Sequence, residues 1–203
     1  MRSTLFLAVL AAAAMAVNPM QASAAPRFGG EAFGAFNTYA MGDVNDAIEG
    51  LNGAGSEYDE IGNGMTGGLG IRMWANENLM FSGVWEPLFA TSEDGQGGPE
   101  LTADASSFQF TGGYYFPSAT NARYGIGAGL GYYSLSEDTG EGSAVGFHVL
   151  GMGEWTVSSG FALTAGAGYR VADVEVDNAG GATVDYSGFM ARVGLAFYIP
   201  SSN

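Results

Sequence analysis

The chain has 203 residues, of which 47% are hydrophobic and only 13% are charged, about half the charged share of an average soluble domain. The formal net charge of −15 excludes a basic nucleic-acid-binding surface. The absence of cysteine excludes disulfides and zinc–thiolate sites. After residue 24, no run of about 20 apolar residues could span a membrane as a helix.

Residues 1–24 have the pattern of a cleaved secretory signal peptide. Arg2 supplies a positive start, and residues 5–17 form an apolar stretch that is too short for a stop-transfer helix. Cleavage after Ala24 fits a small-x-small site and keeps Pro26 from the first mature position. We therefore expect secretory export and a single mature domain over residues 25–203.

Eight segments of the mature chain alternate apolar residues with small or polar ones, and breaks rich in Gly, Asn and Asp separate them. Each is long enough for the roughly 9–11 residues of a tilted transmembrane strand. Short and long connections alternate, which predicts an antiparallel up-and-down barrel with short periplasmic turns and long outer loops. The predicted strands are 28–41, 65–74, 79–90, 106–116, 124–136, 144–156, 161–174 and 184–199.

The first long connection, residues 42–64, carries a helix pattern. Asp43 is a candidate N-cap and Gly53 a candidate helix end. Between them, apolar residues at Val44, Ala47, Ile48 and Leu51 follow helical spacing. We expect a short amphipathic helix that packs as a lid on the barrel rim, with a partner-binding helix as the alternative.

The two faces of each predicted strand differ in polarity. In the last strand, Phe189, Val193 and Leu195 share one face, while Arg192 and Gly194 lie on the other. A soluble barrel needs an exterior that is about 25–35% charged, and neither face of these strands provides it. The pattern favours a transmembrane barrel, with the apolar face toward lipid and the polar face in a narrow lumen. The predicted lumen residues with titratable side chains are Glu31, Arg72, Glu86, His148, Glu154, Arg170 and Arg192.

The direction of each strand assigns a depth to these lumen residues. Glu31, Arg72, Glu154 and Arg192 belong to the periplasmic half, and Glu86, His148 and Arg170 to the outer half. We expect opposite charges to pair across the lumen, because an unpaired buried charge is costly. Such a network predicts a structural plug; a polar path for ions or small solutes is the alternative.

Aromatic residues gather near both ends of the predicted strands, as in the two interfacial girdles of a membrane barrel. At the short-turn end these are Trp74, Tyr124, Trp155, Phe161, Phe197 and Tyr198. Toward the long loops they are Phe36, Tyr39, Phe89, Phe108, Tyr132 and Tyr133.

All but four of the 21 acidic residues lie in or beside the four long connections, with no basic residue among them. We expect a solvated acidic rim. Divalent cations that bridge this rim to lipopolysaccharide phosphates are the alternative, because hard cations prefer carboxylate oxygens. No EF-hand spacing is present, so the metal candidates are weak: Asp43, Asp46, Glu93 and Asp94. We expect no cofactor.

Enzyme chemistry has a single candidate group. His148 with Glu86 and Ser82 resembles a hydrolase triad by residue type, but strand parity places them in the lumen, away from lipid acyl chains. We expect His148 to be hydrogen-bonded in the lumen and the protein not to be an enzyme.

Residues 192–199 carry a family resemblance. The mature chain resembles the OmpA/OmpX-like group of small eight-stranded bacterial outer-membrane barrels. Arg192, Gly194, Phe197 and Ile199 match the polar, glycine and hydrophobic positions of that family's assembly signal, which the barrel-insertion machinery reads. Many members end on a terminal aromatic residue, whereas residues 200–203 follow here.

The resemblance implies an integral outer-membrane protein, monomeric and surrounded by lipid and lipopolysaccharide. It also implies barrel-assembly machinery and periplasmic chaperones as partners during biogenesis. Together with the lumen pattern it favours a structural or surface-interaction role. A narrow porin-like channel and a lipid-modifying enzyme are the alternatives.

Overall fold

The computed structural model describes residues 27–95, 100–118, 120–135, 141–158, 160–177 and 180–199. The predicted signal peptide lies outside the described residues. One helix and twelve strands occur in the described part of the chain. In chain order they are β1 (Arg27–Thr38), α1 (Gly42–Gly53), β2 (Asn63–Trp74), β3 (Leu79–Leu88), β4 (Thr91–Ser92), β5 (Leu101–Thr102), β6 (Ala105–Tyr115), β7 (Ala122–Leu135), β8 (Ser143–Ser158), β9 (Phe161–Val171), β10 (Asp173–Glu175), β11 (Thr183–Asp185) and β12 (Gly188–Tyr198).

Eight antiparallel strands close into a barrel in the order β1-β12-β9-β8-β7-β6-β3-β2. Neighbours in the barrel are neighbours in the chain, and β1 closes the ring on β12 from Gly29↔Tyr198 to Asn37↔Met190. The predicted up-and-down transmembrane topology is confirmed. We call the end with the short turns the inner end and the end with the long connections the outer end.

The strand predictions are confirmed, and the largest differences lie at the outer ends of the first and the last two strands. The predicted strand 28–41 runs past β1, which stops at Thr38 before the chain enters α1. The predicted strands 161–174 and 184–199 continue past the barrel, whereas β9 stops at Val171 and β12 begins at Gly188. Residues 173–175 and 183–185 instead pair with each other as β10 and β11. The apolar–polar alternation runs through this break, so the sequence pattern does not mark where the chain leaves the barrel.

Glycine on the inward face makes room for the large side chains of the lumen. A Cβ atom at Gly129 would lie 2.6 Å from Nε2 of His148. A Cβ atom at Gly70 would lie 2.9 Å from Cγ2 of Val84. A closed barrel of eight strands has an interior just wide enough for side chains, so large inward residues require small neighbours.

The outward face is apolar on all eight barrel strands. Ile71 on β2 is 72% exposed, and Val193 on β12 is 68% exposed. The structure thus confirms that the apolar face of each strand points outward. In the described part of the chain, no helix is long and apolar enough to cross a membrane.

Helix α1 confirms the predicted helix but corrects its beginning. The N-cap residue is Met41, in the left-handed conformation at φ 46° and without a side-chain cap, so the predicted cap at Asp43 is wrong. Oδ2 of Asp43 instead accepts hydrogen bonds from N (2.9 Å) and Oγ1 (3.2 Å) of Thr183. A tertiary contact with β11 has replaced the local cap. The predicted end at Gly53 is confirmed.

The predicted apolar stripe of α1 is only half used. Ile48 is buried and Val44 packs against the same apolar cluster, whereas Ala47 and Leu51 are exposed. Helical spacing alone therefore overestimated the buried face of this short helix.

The outer end of the barrel is covered by a second apolar core. We call the assembly of α1, β4–β5 and β10–β11 the outer cap. Its buried residues include Met41, Ile48, Leu88, Val174 and Tyr186, which form one cluster. Paired hydrogen bonds fix the loops: the side chain of Asn45 bonds both backbone groups of Ile61, and that of Asn52 does the same with Tyr58.

Candidate functional site

A cluster of three charged side chains occupies the inner half of the lumen. Nε of Arg72 lies 3.6 Å from Oε2 of Glu31, and Nη1 lies 3.2 Å from Oε2 of Glu154. All three side chains are buried. The hydroxyl of Tyr198 donates to Oε2 of Glu154 at 2.6 Å, and Nη2 of Arg72 donates to the hydroxyl of Tyr115 at 3.2 Å. Opposite charges therefore pair in this half of the lumen.

Arg192 was expected in the same ion-pair network, but it stands apart from the pairs. Among the described residues, no carboxylate oxygen lies within 4.0 Å of its guanidinium. Its Cζ lies 5.4 Å from the ring centroid of Phe33. Arg192 points into the lumen as predicted, without a direct ionic partner.

Three aromatic residues close the inner end, and we call them the aromatic floor: Trp74, Tyr115 and Tyr198. All are at least 95% buried. Nε1 of Trp74 donates to the hydroxyl of Tyr198 at 2.9 Å. The guanidiniums of Arg27 and Arg123 lie over the rings of Tyr198 (4.4 Å) and Trp74 (5.1 Å). The floor is thus fixed by hydrogen bonds inside and cation–π contacts at the rim.

The aromatic floor corrects part of the predicted interfacial girdles. Trp74 and Tyr198 at the inner end, and Tyr39 and Tyr133 at the outer end, are buried rather than facing outward. These four lie on the inward parity of their strands or on the cap, where packing decides their direction. The girdle residues that are exposed as predicted are Phe36, Phe89, Phe108, Tyr124, Tyr132, Trp155, Phe161 and Phe197.

Glu86 is held in the outer half of the lumen by neutral donors. Its Oε1 accepts from Nδ2 of Asn37 (3.0 Å) and Oγ1 of Thr66 (2.7 Å), and its Oε2 accepts from Nε2 of Gln109 (2.9 Å). The sequence pattern predicts Glu86 in the lumen but not these three partners, although each lies on the inward parity of a predicted strand or its end. The sequence signal that could have identified them is the presence of polar, uncharged residues at inward positions of the strands.

Arg170 is fully buried and does not form the predicted ion pair. Its Nε donates to the carbonyl oxygen of Tyr186 at 3.0 Å, and its Cζ lies 5.9 and 5.8 Å from the ring centroids of Tyr39 and Tyr133. Cation–π contacts and a backbone carbonyl replace a carboxylate here, because three neutral donors already occupy Glu86.

Two tyrosines of the cap lie beside this arginine, outside the barrel strands. Burial raises the pKa of Tyr39 to about 12, against the opposing effect of the Arg170 charge. Burial, with a contribution from Asp104, also raises the pKa of Tyr186. The hydroxyl of Tyr186 donates to the carbonyl oxygen of Ala103 at 2.8 Å. Both phenols are therefore neutral structural groups near neutral pH.

His148 is buried, and its Nε2 shares a hydrogen bond with Oγ1 of Thr111 at 2.8 Å. The other two members of the hypothetical triad take no part in this hydrogen bond. Glu86 is bound by its three neutral donors, and Oγ of Ser82 has no hydrogen-bond partner within the described part of the chain. The three residues are not connected as a nucleophile, a base and an orienting acid.

The four metal candidates are not assembled into a site. Asp43 bonds Thr183, and Oδ1 of Asp94 accepts from the backbone N–H of Glu57 at 3.3 Å. Asp46 and Glu93 are exposed. Among the residues that the structure describes, no three His, Asp or Glu side chains come together as a metal site. The acids are spread over the cap surface.

A closed eight-stranded barrel with an apolar exterior and a polar, side-chain-filled lumen defines a small transmembrane β-barrel. Solved outer-membrane barrels share this fold. The outer membrane protein OprG from Pseudomonas aeruginosa superposes with a TM-score of 0.54 at 12% identity, over 88% of this chain and 97% of that one.

A second solved structure, Neisserial surface protein A (NspA), superposes with a TM-score of 0.58 at 14% identity. The match covers 86% of this chain and 99% of that chain. No protein-family model and no curated protein sequence matches the chain. The likeness shows the fold of small outer-membrane barrels, while the OmpA/OmpX-like affiliation stays a prediction.

Proposed function

We propose that this protein is an integral barrel of the bacterial outer membrane with a structural or surface-interaction role. The barrel anchors the chain in the bilayer, and the acidic outer cap faces the exterior. Loops carried on a rigid scaffold are the usual place for surface function. Asp46, Glu49 and Glu57 are exposed on the cap, in keeping with a solvated, negatively charged outer surface.

The observation that carries this proposal is the burial of charged side chains at each level of the lumen. Glu154 near the floor is 0% exposed, Glu86 and His148 higher up are each 1% exposed, and Arg170 under the cap is 0% exposed. Water outside the barrel therefore does not reach these groups. A lumen filled in this way acts as a plug and a spacer.

Partners of the proposed protein follow from its location. Lipid and lipopolysaccharide surround the apolar band, and the barrel-assembly machinery and periplasmic chaperones handle the chain before insertion. Phe197 and Ile199 of the candidate assembly signal are 45% and 70% exposed on the outward face, a position that supports recognition before lipid covers them. We propose a monomer without catalytic activity.

The test is single-channel recording with the purified protein in planar bilayers, beside a porin as positive control. We expect no conductance steps above the bare bilayer, because the lumen is filled at both ends. Reproducible steps would overturn the plug in favour of a narrow channel. Lipid composition is measured in the same preparation, and any hydrolysed or acyl-transferred lipid would overturn the non-enzymatic role.

A further inference from the structure

A small internal void lies beside the inner charge cluster. Its volume is about 10 Å³, close to one water-sized sphere. Glu31, Arg72, Thr164 and Arg192 contribute to its lining. Met80 of β3, Tyr115 of β6 and Met152 of β8 complete much of the lining, so the void lies among side chains from most of the barrel strands.

Polar atoms at this void lack hydrogen-bond partners. Oε1 of Glu31, Nε of Arg72 and Nη1 of Arg72 are buried, and none of them has a hydrogen bond of good geometry to a residue that the structure describes. The exposed fractions of Glu31 and Arg72 are 8% and 4%. Leaving such atoms unsatisfied is unfavourable, and more so for charged groups. Two residues that line the void, Glu31 and Arg72, therefore carry buried polar atoms that a polar occupant could satisfy.

The charges around the void decide the kind of occupant. Glu31 and Glu154 contribute two negative charges, and Arg72 and Arg192 contribute two positive charges, so the group is neutral. A cation in the void would face two guanidiniums, and an anion would face a carboxylate without gaining net attraction. A neutral donor–acceptor molecule that fits about 10 Å³ is water, which typically makes about three hydrogen bonds in such sites.

We propose that this void is a binding site for a single water molecule, which bridges the carboxylate of Glu31 to the guanidinium of Arg192. The water connects Arg192, which has no direct ionic partner among the described residues, to the Glu31–Arg72–Glu154 cluster. Bridging waters are nearly as favourable in enthalpy as direct hydrogen bonds. Arg192 then acts as the fourth member that neutralises the inner lumen.

Glycine makes space for this arrangement. A Cβ atom at Gly166 would lie 3.2 Å from Nε and 3.4 Å from Cγ of Arg192. Gly166 is the β9 partner of Arg192 in the register. The side chain of Arg192 is thus accommodated by an inward glycine directly across the strand pair.

The first test is a double-mutant cycle on the folded barrel, with unfolding equilibria in urea as the readout. Arg192→Gln leaves the inner lumen with one excess negative charge, and we expect about a tenfold loss in the folding equilibrium constant. Adding Glu31→Gln to Arg192→Gln makes the inner lumen neutral again, and we expect this double variant to recover most of the lost folding equilibrium constant.

The matched control pair is Glu154→Gln with Arg192→Gln, because Glu154 carries the same charge but does not line the void. We expect its coupling to Arg192 to be several-fold weaker. Equal coupling in both pairs would show that only the total charge matters and would overturn the bridge.

The second test does not depend on any variant. In a high-resolution crystal structure of the unmodified protein, we expect one ordered water about 2.7–3.2 Å from Oε1 of Glu31 and from a nitrogen of Arg192. Crystals soaked in rubidium or bromide should show no anomalous peak in the void. A dry void, a direct Glu31–Arg192 ion pair or an ion peak would each overturn the proposal.

Discussion

At the scale of single residues, packing in the lumen pairs large inward side chains with neighbouring glycines. A Cβ atom at Gly129 would collide with the carbonyl oxygen of Phe110 and with the imidazole of His148, which bonds Thr111. Glycine costs backbone entropy in a strand, so its frequency on the inward parity reflects a steric demand. The outward Gly83 meets no such demand, because a Cβ there would lie 3.7 Å from Ile71.

This contrast gives a matched pair of alanine variants. Gly129→Ala is expected to destabilise the barrel by about 1–3 kcal/mol, because overpacking forces neighbours to move. Gly83→Ala is expected to be neutral or slightly stabilising. Urea unfolding midpoints in detergent or lipid measure both. Equal effects at the two positions would contradict a lumen packed to its limit.

The buried phenol of Tyr39 gives a prediction in alkaline solution. Its folded pKa of about 12 exceeds the unfolded value of 10.0, so the folded state holds this proton where the unfolded state releases it. Its contribution to stability is complete below about pH 10 and is lost as the pH rises toward 12.

Tyr39→Phe removes this titration, so we expect the stability difference between wild type and variant to change between about pH 9 and pH 12. Wild type should lose more stability than the variant over that interval. Unfolding midpoints at both pH values provide the measurement, and parallel losses in both proteins would contradict a buried neutral phenol at this position.

At the scale of elements, the outer cap is a separate unit built on the barrel. Helix α1 is preceded by its N-cap Met41, whose left-handed backbone is sparsely populated for a residue with a side chain. Its buried side chain in the cap core and the hydrogen bond from its N–H to the carbonyl of Asp185 (3.2 Å) hold it there. The contact between Asp43 and Thr183 then ties α1 to the β10–β11 hairpin.

Removing this tie should loosen the cap and leave the barrel intact. For Asp43→Ala we expect roughly fivefold faster hydrogen exchange of amides in α1 and β11, because one or two hydrogen bonds worth about 1 kcal/mol are lost. Asp46→Ala is the control, since Asp46 is exposed on the same helix. Unchanged exchange in Asp43→Ala would show that the apolar core alone fixes the helix.

At the scale of the whole molecule, polarity is inverted relative to a soluble protein. Apolar side chains cover the outside of all eight barrel strands, charged and polar side chains fill the inside, and a second apolar core closes the outer end. The aromatic floor closes the inner end. Two independent seals therefore stand in series along the barrel axis.

Seals in series predict that opening one end is not enough for conduction. The double variant Trp74→Ala with Tyr115→Ala removes most of the aromatic floor, yet we expect planar bilayers to stay silent because Arg170 and the cap remain packed above it. Circular dichroism must first show a folded barrel, since each large-to-alanine change costs several kcal/mol. Conductance of this variant would show that the outer cap is permeable.

The sequence by itself determined the barrel, its strand count and which charged residues face the lumen, because alternation with a period of two is a local property of the chain. It also located the helix in the first long connection. Tertiary structure alone decided the rest: which inward charges pair, which aromatics turn inside, and where Asp43 directs its carboxylate. Glu86 and Arg170 could not be assigned partners from the pattern, because pairing across a lumen depends on strand register and on neutral donors from distant strands.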